Sequence, residues 1–186
     1  MKRTLVALIL GVAALAPSAA AQIERLDLEQ MVSRADGCVL GRITQRQVFR
    51  VDSLTDGSEL YFTRLTIEGV ALHDGSPLVV EVTHHGGFVS DDDGVWNSEA
   101  PSEEETRVGR RVLAFYRWTD NMGGGVKGNL LYAAHGGLYT TFVAQSGKTI
   151  VQGRGEGFAV SKNLPSPDLA KRVAAARAKK QQAGGK

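Results

Sequence analysis

Residues 60–72 have the sequence LYFTRLTIEGVAL, along which two sets of side chains alternate. One face would carry Tyr61, Thr63, Leu65 and Ile67, and the other Phe62, Arg64, Thr66 and Glu68. Because successive side chains of a β-strand point to opposite faces, a period of two is typical of a strand with one buried face. The stretch therefore predicts a half-buried β-strand.

Strand-like stretches also lie before and after this one. They are rich in β-branched and aromatic residues, and turns rich in Gly, Asp and Pro separate them. The predicted strands cover residues 38–51, 60–72, 78–84, 111–118, 130–134, 138–145 and 149–151. Gly41 marks a bulge in the first of them. The pattern predicts a mainly β domain, either a small antiparallel barrel of the OB type or a sandwich.

A short helix is predicted ahead of the first strand. Asp27 is a residue that caps helices, and Gln30 occupies the position at which a capping box places Glu or Gln. The helix is expected to end near Ala35-Asp36-Gly37, since glycine permits a left-handed turn.

The first 21 residues have the three parts of a secretory signal. Lys2 and Arg3 are basic, residues 5–15 are mostly apolar, and residues 19–21 are the small alanines of a cleavage site. A membrane span needs about 20 apolar residues, so this apolar run is too short for one. The pattern predicts cleavage after Ala21 and a secreted or periplasmic protein without a transmembrane segment. An uncleaved N-terminal anchor is the alternative.

Residues 165–186 form a tail whose composition differs from that of residues 22–164, which have the length of one domain. Between Asp168 and Lys186 lie six of the 22 Lys and Arg residues, but one of the 20 acidic residues. Ala, Lys and Arg favour a helix, and Leu169, Val173 and Ala176 give it a narrow apolar stripe. We expect a marginal helix that frays, as a poorly ordered end or in weak contact with an anionic surface.

The chain has one cysteine, Cys38, within the apolar run Cys38-Val39-Leu40. One thiol cannot form an internal disulfide, so the stability of an exported domain must come from its packed core. No neighbouring His or Lys would lower the pKa of this thiol. The position therefore predicts a small buried hydrophobic residue rather than a nucleophile.

Two His-Gly-Gly sequences occur, at residues 85–87 and 135–137, and residues 91–93 are three consecutive aspartates. Adjacent strand residues point to opposite faces, so His84 and His85 cannot both bind one metal ion. One hypothesis is a site for a divalent metal made by His85, His135 and Asp91. The alternative is a strand that ends in a Gly-Gly turn, because glycine adopts positive φ without strain.

No complete catalytic or cofactor motif occurs in the sequence. His-Gly-Gly resembles the oxyanion loop of some esterases, but no serine has the Gly-x-Ser-x-Gly spacing. Gly147-Lys148-Thr149 lacks the earlier glycine of a phosphate loop, and Phe158 stands where a dinucleotide loop has its last glycine. The consecutive carboxylates of residues 91–93 and 103–105 are typical of a solvated loop. We expect a non-enzymatic protein whose only cofactor, on the metal hypothesis, is a divalent ion.

Aromatic residues are the candidates for ligand binding. Trp96 lies in an acidic loop, residues 90–105. A large apolar side chain in such a loop either packs against the domain or contacts a partner. Four others would form a platform for a sugar or a peptide: Tyr116, Trp118, Tyr132 and Tyr139. The alternative is that most of these belong to the core or the barrel rim. Nucleic acid is not expected as a partner, because acidic residues outnumber basic ones outside the tail.

The order of several weak motifs adds a resemblance. They are SRADGCVLGRITQRQ (33–47), YFTRLTIEGV (61–70), VVEVTHHGG (79–87), VGRRVLAFYRW (108–118) and HGGLYTTFVAQSGKTI (135–150). This order resembles a family of uncharacterised secreted bacterial proteins, over residues 26–160. Tyr61-Phe62-Thr63 departs from the family's simple Tyr-Thr by one inserted aromatic residue. The resemblance implies an OB-like or netrin-module-like β-barrel, and neither an established activity nor catalytic residues.

Three functions are compatible with these observations. The first is an exported, non-enzymatic module that binds a protein or a polymer of the bacterial cell envelope. The second is a metal-binding exported protein that uses His85, His135 and an aspartate of the acidic loop. The third, a protease inhibitor, rests on analogy with netrin-like modules alone. Inhibitors of that shape use an N-terminal cysteine, whereas the mature chain is expected to begin with Gln22.

Overall fold

The architecture was obtained as a computed structural model, which describes residues 24–52, 57 and 59–184. The predicted signal peptide, residues 1–21, lies outside the described residues. The described chain contains these helices and strands: α1 (Leu28–Arg34), β1 (Gly37–Asp52), β2 (Glu59–Ala71), β3 (Pro77–His85), β4 (Gly87–Ser90), β5 (Asp93–Val95), β6 (Arg111–Thr119), β7 (Gly128–Leu131), β8 (Leu138–Val143), β9 (Thr149–Val151), β10 (Leu164–Pro165) and α2 (Ser166–Gly184). A single 3-10 turn, Ala134–Gly137, precedes β8.

Five of the strands close into a barrel. β2 is antiparallel to both β1 and β3, and β6 is antiparallel to both β1 and β7. β3 and β7 run parallel and pair at Thr83 and Leu130, which closes the ring β1-β2-β3-β7-β6. β8, β9 and β10 continue the sheet beyond β6. The predicted mainly β barrel is confirmed, and the sandwich alternative is wrong. The expected antiparallel pairing fails at one place, because β3 and β7 close the ring in parallel.

The barrel interior is filled by one face of each strand. On β2 the alternation has the predicted phase, because Thr63, Leu65 and Ile67 are fully buried while Glu68 is exposed. The buried residues of this inner core are Val39, Ile43, Leu65, Ile67, Val80, Val82, Val112, Ala114, Leu131 and Leu138.

A β-bulge in β1 changes which of its side chains face inward. The register with β2 shifts between Ile43 and Gln45, so Arg46 lies opposite the inward-facing Leu65. Without the extra residue, Arg46 would have the opposite orientation. The predicted bulge at Gly41 is wrong. Gly41 is instead a site of close approach, where an added Cβ would lie 2.3 Å from the carbonyl oxygen of Glu68.

A second core, which we call the outer core, lies between the outer face of the sheet and the two helices. It includes Met31 and Val32 of α1, Leu113 and Phe115 of β6, and the buried Cys38. Burial raises the pKa of Cys38 to about 11. The prediction of a buried, unreactive cysteine is therefore confirmed.

Helix α1 begins with the predicted capping box. The Asp27 carboxylate accepts from the Gln30 backbone N–H at 2.8 Å, and the Gln30 side chain accepts from the Asp27 N–H at 3.1 Å. Both bonds satisfy N–H groups that have no partner within the helix. The helix then ends at Arg34, close to the predicted boundary. The expected left-handed turn at Gly37 is wrong, because Ala35 caps the helix in an extended conformation and Gly37 begins β1.

Helix α2 is longer and better packed than the tail composition predicts. It continues to Gly184, and Leu169 and Val173 are fully buried in the outer core. Lys179 forms a 2.6 Å ion pair with Glu29 of α1, and Lys180 donates to the Ala35 carbonyl at 3.3 Å. The tail is therefore a helix docked on the outer core up to Gly184, and the last two residues of the segment in which fraying is expected lie outside the described residues.

The acidic loop contains a hairpin that the sequence does not predict. β4 and β5 pair antiparallel, and Asp91 and Asp92 lie at the turn between them. Gly86 and Gly87, with φ of 86° and 133°, redirect the chain from β3 into β4. These are backbone conformations that only glycine adopts without strain. The Gly-Gly turn at the end of a strand is therefore confirmed.

Within the described part of the chain, no helix is both long enough and apolar enough to span a membrane.

Candidate functional site

A cleft of about 620 Å³ lies where β3 ends and the β4–β5 hairpin begins. β1, β2 and β3 contribute Arg46, Thr63 and His84. The hairpin and the residues after it contribute further lining side chains, including Phe88, Asp91, Val95 and Trp96. The lining is completed by Ala100, Pro101, Ser102, Glu103, Glu105 and His135. We call this space the mouth cleft.

His84 is the more deeply buried of the two histidines that line the mouth cleft. It is 6% exposed and pairs across the sheet with Thr63. Its Nδ1 lies 3.0 Å from the carbonyl oxygen of His85, so Nδ1 carries the proton and donates. Burial lowers the pKa of His84 to about 4, and the charge of Arg46 acts in the same direction. The imidazole is therefore neutral at physiological pH, with an acceptor lone pair on Nε2.

The Nε2 atom of His84 and the Nε atom of Arg46 share an unusual property. Both are buried, and neither has a hydrogen-bond partner among the residues that the structure describes. Arg46 is held through another atom, since its Nη2 donates to Glu103 at 3.2 Å. The mouth cleft thus contains one buried acceptor and one buried donor that the protein itself does not pair, which is costly for either atom.

A charged cluster fixes one side of the mouth cleft. Arg154 donates from Nη2 to Glu105 at 2.6 Å and from Nε to the Leu138 carbonyl at 2.9 Å. His135 Nε2 lies 3.3 Å from Glu105 and also contacts Arg154. Burial alone would raise the pKa of Glu105, but hydrogen bonds from His135, the Ser102 backbone N–H and Arg154 hold it well below its usual range. Glu105 is therefore a permanent anion that ties residues 102–105 to Arg154.

Trp96 follows β5 at the edge of the mouth cleft. It is 76% exposed, the largest fraction among the exposed large hydrophobic residues. Phe88 and Val95 of the hairpin are also exposed and line the same space. A cluster of exposed apolar residues beside buried polar groups is typical of a recognition surface. Of the two predicted outcomes for Trp96, packing down and exposure, the structure shows exposure.

The predicted metal ligands His85, His135 and Asp91 are not brought together. His85 points away from the mouth cleft and packs its ring against Phe62, with centroids 5.0 Å apart. Across residues 24–52, 57 and 59–184, no group of three or more His, Cys, Asp or Glu side chains is arranged to hold a metal ion. The strand places His84, the neighbour of the predicted ligand, in the same cleft as His135 and Asp91.

The predicted aromatic platform is also not formed. Tyr139 is fully buried and belongs to the outer core, against which Tyr132 packs. Tyr116 packs against the inner core, and Trp118, at the end of the same strand, is 56% exposed. Tyr116 and Trp118 are two positions apart and share one face of β6. Tyr132 and Tyr139 pack in the outer core, on the other side of the sheet. Trp96 alone of the proposed aromatic residues lines the mouth cleft.

Four residues of the site were missed at the sequence level: Arg46, His84, Glu105 and Arg154. A signal for His84 was present, because Val80, Val82 and His84 have the same parity and Glu81 has the other. Arg46 offered no such signal, since its orientation depends on the bulge in β1. Glu105 and Arg154 are 49 positions apart, and only the tertiary fold brings them together.

Comparisons with models of protein families, with curated proteins and with solved structures returned no match.

Proposed function

We propose that this chain is an exported, non-enzymatic binding module of the bacterial cell envelope, and that the mouth cleft is its ligand site. The observation that carries the proposal is the exposure of Trp96, 76%, beside a cleft of about 620 Å³. Ligand sites commonly have volumes of about 300–1,000 Å³, with apolar walls and a few convergent polar groups. The mouth cleft has these properties.

The arrangement of the charged groups favours binding over catalysis. A general acid or base must be free to reach a substrate proton. Here Glu105 is bonded to Arg154, His135 and Ser102, and Arg46 is bonded to Glu103. These contacts hold the walls of the mouth cleft in fixed positions, which lowers the entropy lost when a ligand binds.

The barrel topology supports an OB-like assignment. β1, β2 and β3 are consecutive antiparallel neighbours, and β6 returns to lie beside β1. This is the spatial order of a Greek key, and β7 closes the ring as the fifth strand. OB barrels are five-stranded Greek-key barrels that bind ligands through a sheet face and adjoining loops. The mouth cleft, formed by strand ends and a hairpin, is compatible with that mode.

The partner is proposed to be a protein or an envelope polymer rather than a nucleic acid. Asp91, Glu103 and Glu105 line the mouth cleft, and their carboxylates would repel a phosphate backbone. A neutral polymer or a polypeptide meets no such repulsion.

The binding proposal can be tested with a photo-reactive amino acid at Ser98, which is exposed and lines the mouth cleft. Irradiation of living cells should produce an adduct, and Trp96→Ala should abolish it. The same amino acid at Asn121, exposed and outside the mouth cleft, is the matched control and should give none. An adduct at Ser98 that persists in Trp96→Ala would contradict the proposal.

The proposed export has its own test. N-terminal sequencing of the protein recovered from the periplasm or the medium should begin at Gln22, because the signal peptidase is expected to cut after Ala21. Recovery of the chain from the cytoplasm with Met1 intact would contradict export while leaving the binding proposal to its own experiment.

A further inference from the structure

We propose that the ligand of the mouth cleft is a saccharide, bound with one hydroxyl group between Arg46 Nε and His84 Nε2 and with its ring against Trp96. The proposal rests on the proposed function, and it adds the chemical class of the ligand and the atoms that recognise it. It is carried by two buried atoms of opposite hydrogen-bonding character that the described protein does not pair.

The chemistry of the two atoms selects the ligand group. Arg46 Nε bears a hydrogen and can only donate, whereas the neutral His84 uses Nδ1 to donate to the His85 carbonyl and leaves Nε2 to accept. Both residues line the mouth cleft. A hydroxyl group accepts and donates through a single oxygen atom, so it can satisfy both partners at once.

Other ligand groups fit these two atoms less well. An ionised carboxylate or a phosphodiester would accept from Arg46 but has no proton for His84 Nε2. Either anion would also be repelled by the carboxylates of Asp91, Glu103 and Glu105, which line the mouth cleft. An ammonium group would donate to His84 but would be repelled by the Arg46 guanidinium. A peptide amide can accept and donate only through two separate atoms, and it therefore serves as the alternative in the test.

The rest of the mouth cleft suits a sugar ring. One face of a pyranose presents C–H groups, which pack well against an exposed indole such as that of Trp96. The remaining hydroxyl groups are donors, and the carboxylates of Asp91 and Glu103 are acceptors that line the same space. The combination of one aromatic surface with several acceptors matches a polyhydroxylated ring.

The first experiment uses Trp118→Phe, which leaves Trp96 as the one tryptophan of the two in the chain. The probes are an array of neutral oligosaccharides, the disaccharide units of bacterial cell wall, and the wall's stem peptides without sugar. Titration of this variant with a saccharide that binds should change the fluorescence of Trp96. Measured by titration calorimetry in the otherwise unaltered chain, Trp96→Ala should weaken binding about tenfold or more, while Trp118→Ala, at an exposed tryptophan outside the mouth cleft, should not.

The second experiment tests the bridging hydroxyl in the unaltered chain. Monodeoxy analogues of the tightest-binding saccharide are compared with the parent sugar. One analogue should bind about tenfold or more weakly, because it leaves both buried atoms unpaired. In His84→Leu the difference between that analogue and the parent should shrink, because only Arg46 Nε remains to bond the hydroxyl group. The comparison of monodeoxy analogues with the parent sugar in the unaltered chain still tests the bridging hydroxyl if His84→Leu does not fold.

The outcomes separate this inference from the proposed function. Binding of stem peptides alone, lost in Trp96→Ala, would overturn the saccharide assignment and leave the mouth cleft as a binding site. Saccharide binding that is unchanged in Trp96→Ala would overturn both. No binding by any saccharide probe would overturn the inference, and equal binding of all monodeoxy analogues would overturn the bridge between Arg46 and His84.

Discussion

At the level of single residues, His84 is held neutral at a stability cost that depends on pH. Its pKa is about 4 in the folded chain, against 6.5 for an ordinary histidine. Between these values the unfolded chain binds a proton that the folded chain does not. Stability is therefore highest above pH 6.5 and falls as the pH drops towards 4.

The corresponding prediction concerns His84→Gln. The free energy of unfolding of the unaltered chain should fall by on the order of 3 kcal/mol between pH 7 and pH 4 through His84 alone. In His84→Gln this part of the slope should be missing, as measured by urea unfolding at several pH values. Glu105, whose pKa is lowered, acts at more acidic pH and remains as an internal reference. An equal dependence of the free energy of unfolding on pH in both chains would contradict the assignment of this effect to His84.

Arg154 provides a second prediction at this scale. Its side chain is 16% exposed and that of Glu105 is 20% exposed, so the pair is largely shielded from water. Arg154→Met should lower the free energy of unfolding by about 1–3 kcal/mol, because the Glu105 carboxylate loses a charged partner. The matched control is Arg107→Met, whose pair with Glu104 is exposed and should change stability by less than about 0.5 kcal/mol. Similar losses in both variants would refute this account.

At the level of elements, the pairing of β1 with β2 depends on two glycines that face each other. Gly41 and Gly69 are register partners, and a Cβ on Gly69 would lie 2.2 Å from the Leu40 carbonyl oxygen. That distance is shorter than any ordinary contact between a carbon and a backbone oxygen, so the strands must move apart to accommodate it. Neither glycine has an alternative role as a flexible hinge within the strand.

Gly69→Ala should therefore lower the free energy of unfolding by about 2 kcal/mol or more. Gly75→Ala is the control, because Gly75 has φ of 76° but no atom within 4 Å of the added Cβ. The control should cost about 1 kcal/mol, the backbone strain alone. Chemical denaturation of both variants measures the difference, and a Gly69→Ala chain as stable as the control would show that the strands are not so closely apposed.

Several elements could be predicted because their signals are local. The capping box of α1, the alternation of β2 and the Gly-Gly turn each depend on residues within one short segment. The β4–β5 hairpin was missed, since its Asp-rich turn has the composition of a solvated loop. The packing of α2 was also missed, because a stripe with only Leu169 and Val173 fully buried is weak until a partner surface is known.

At the level of the whole molecule, the two cores share strands. Val112 and Ala114 face the barrel interior, whereas Leu113 and Phe115 face the helices. A residue of α2 can therefore influence the barrel without touching its interior. The barrel itself could be predicted from strand number and alternation, but the mouth cleft could not. Its residues come from β1, β2, β3, the β4–β5 hairpin, the loop before β6 and the 3-10 turn before β8, and no sequence spacing relates them.

The shared strands lead to a prediction about α2. Leu169→Ala should lower the free energy of unfolding of the entire chain by about 2–5 kcal/mol, in one transition rather than as separate loss of the helix. Lys171→Ala, exposed on the same helix, should change it by less than about 0.5 kcal/mol. Circular dichroism and tryptophan fluorescence should report the same midpoint. Early loss of helical signal alone would show that α2 is independent of the barrel.

The closure of the barrel is uneven around its circumference. Long antiparallel ladders join β1 to β2 and β2 to β3, but β3 and β7 meet at the single pair Thr83 and Leu130, supported by Asn129 Nδ2 donating to the Glu81 carbonyl at 3.1 Å. Few hydrogen bonds need to break there, so thermal opening of the ring begins at this junction. His84 follows Thr83 directly. Opening of that junction therefore frees the end of β3, on which His84 lies, before the long ladders of β1 and β2 separate.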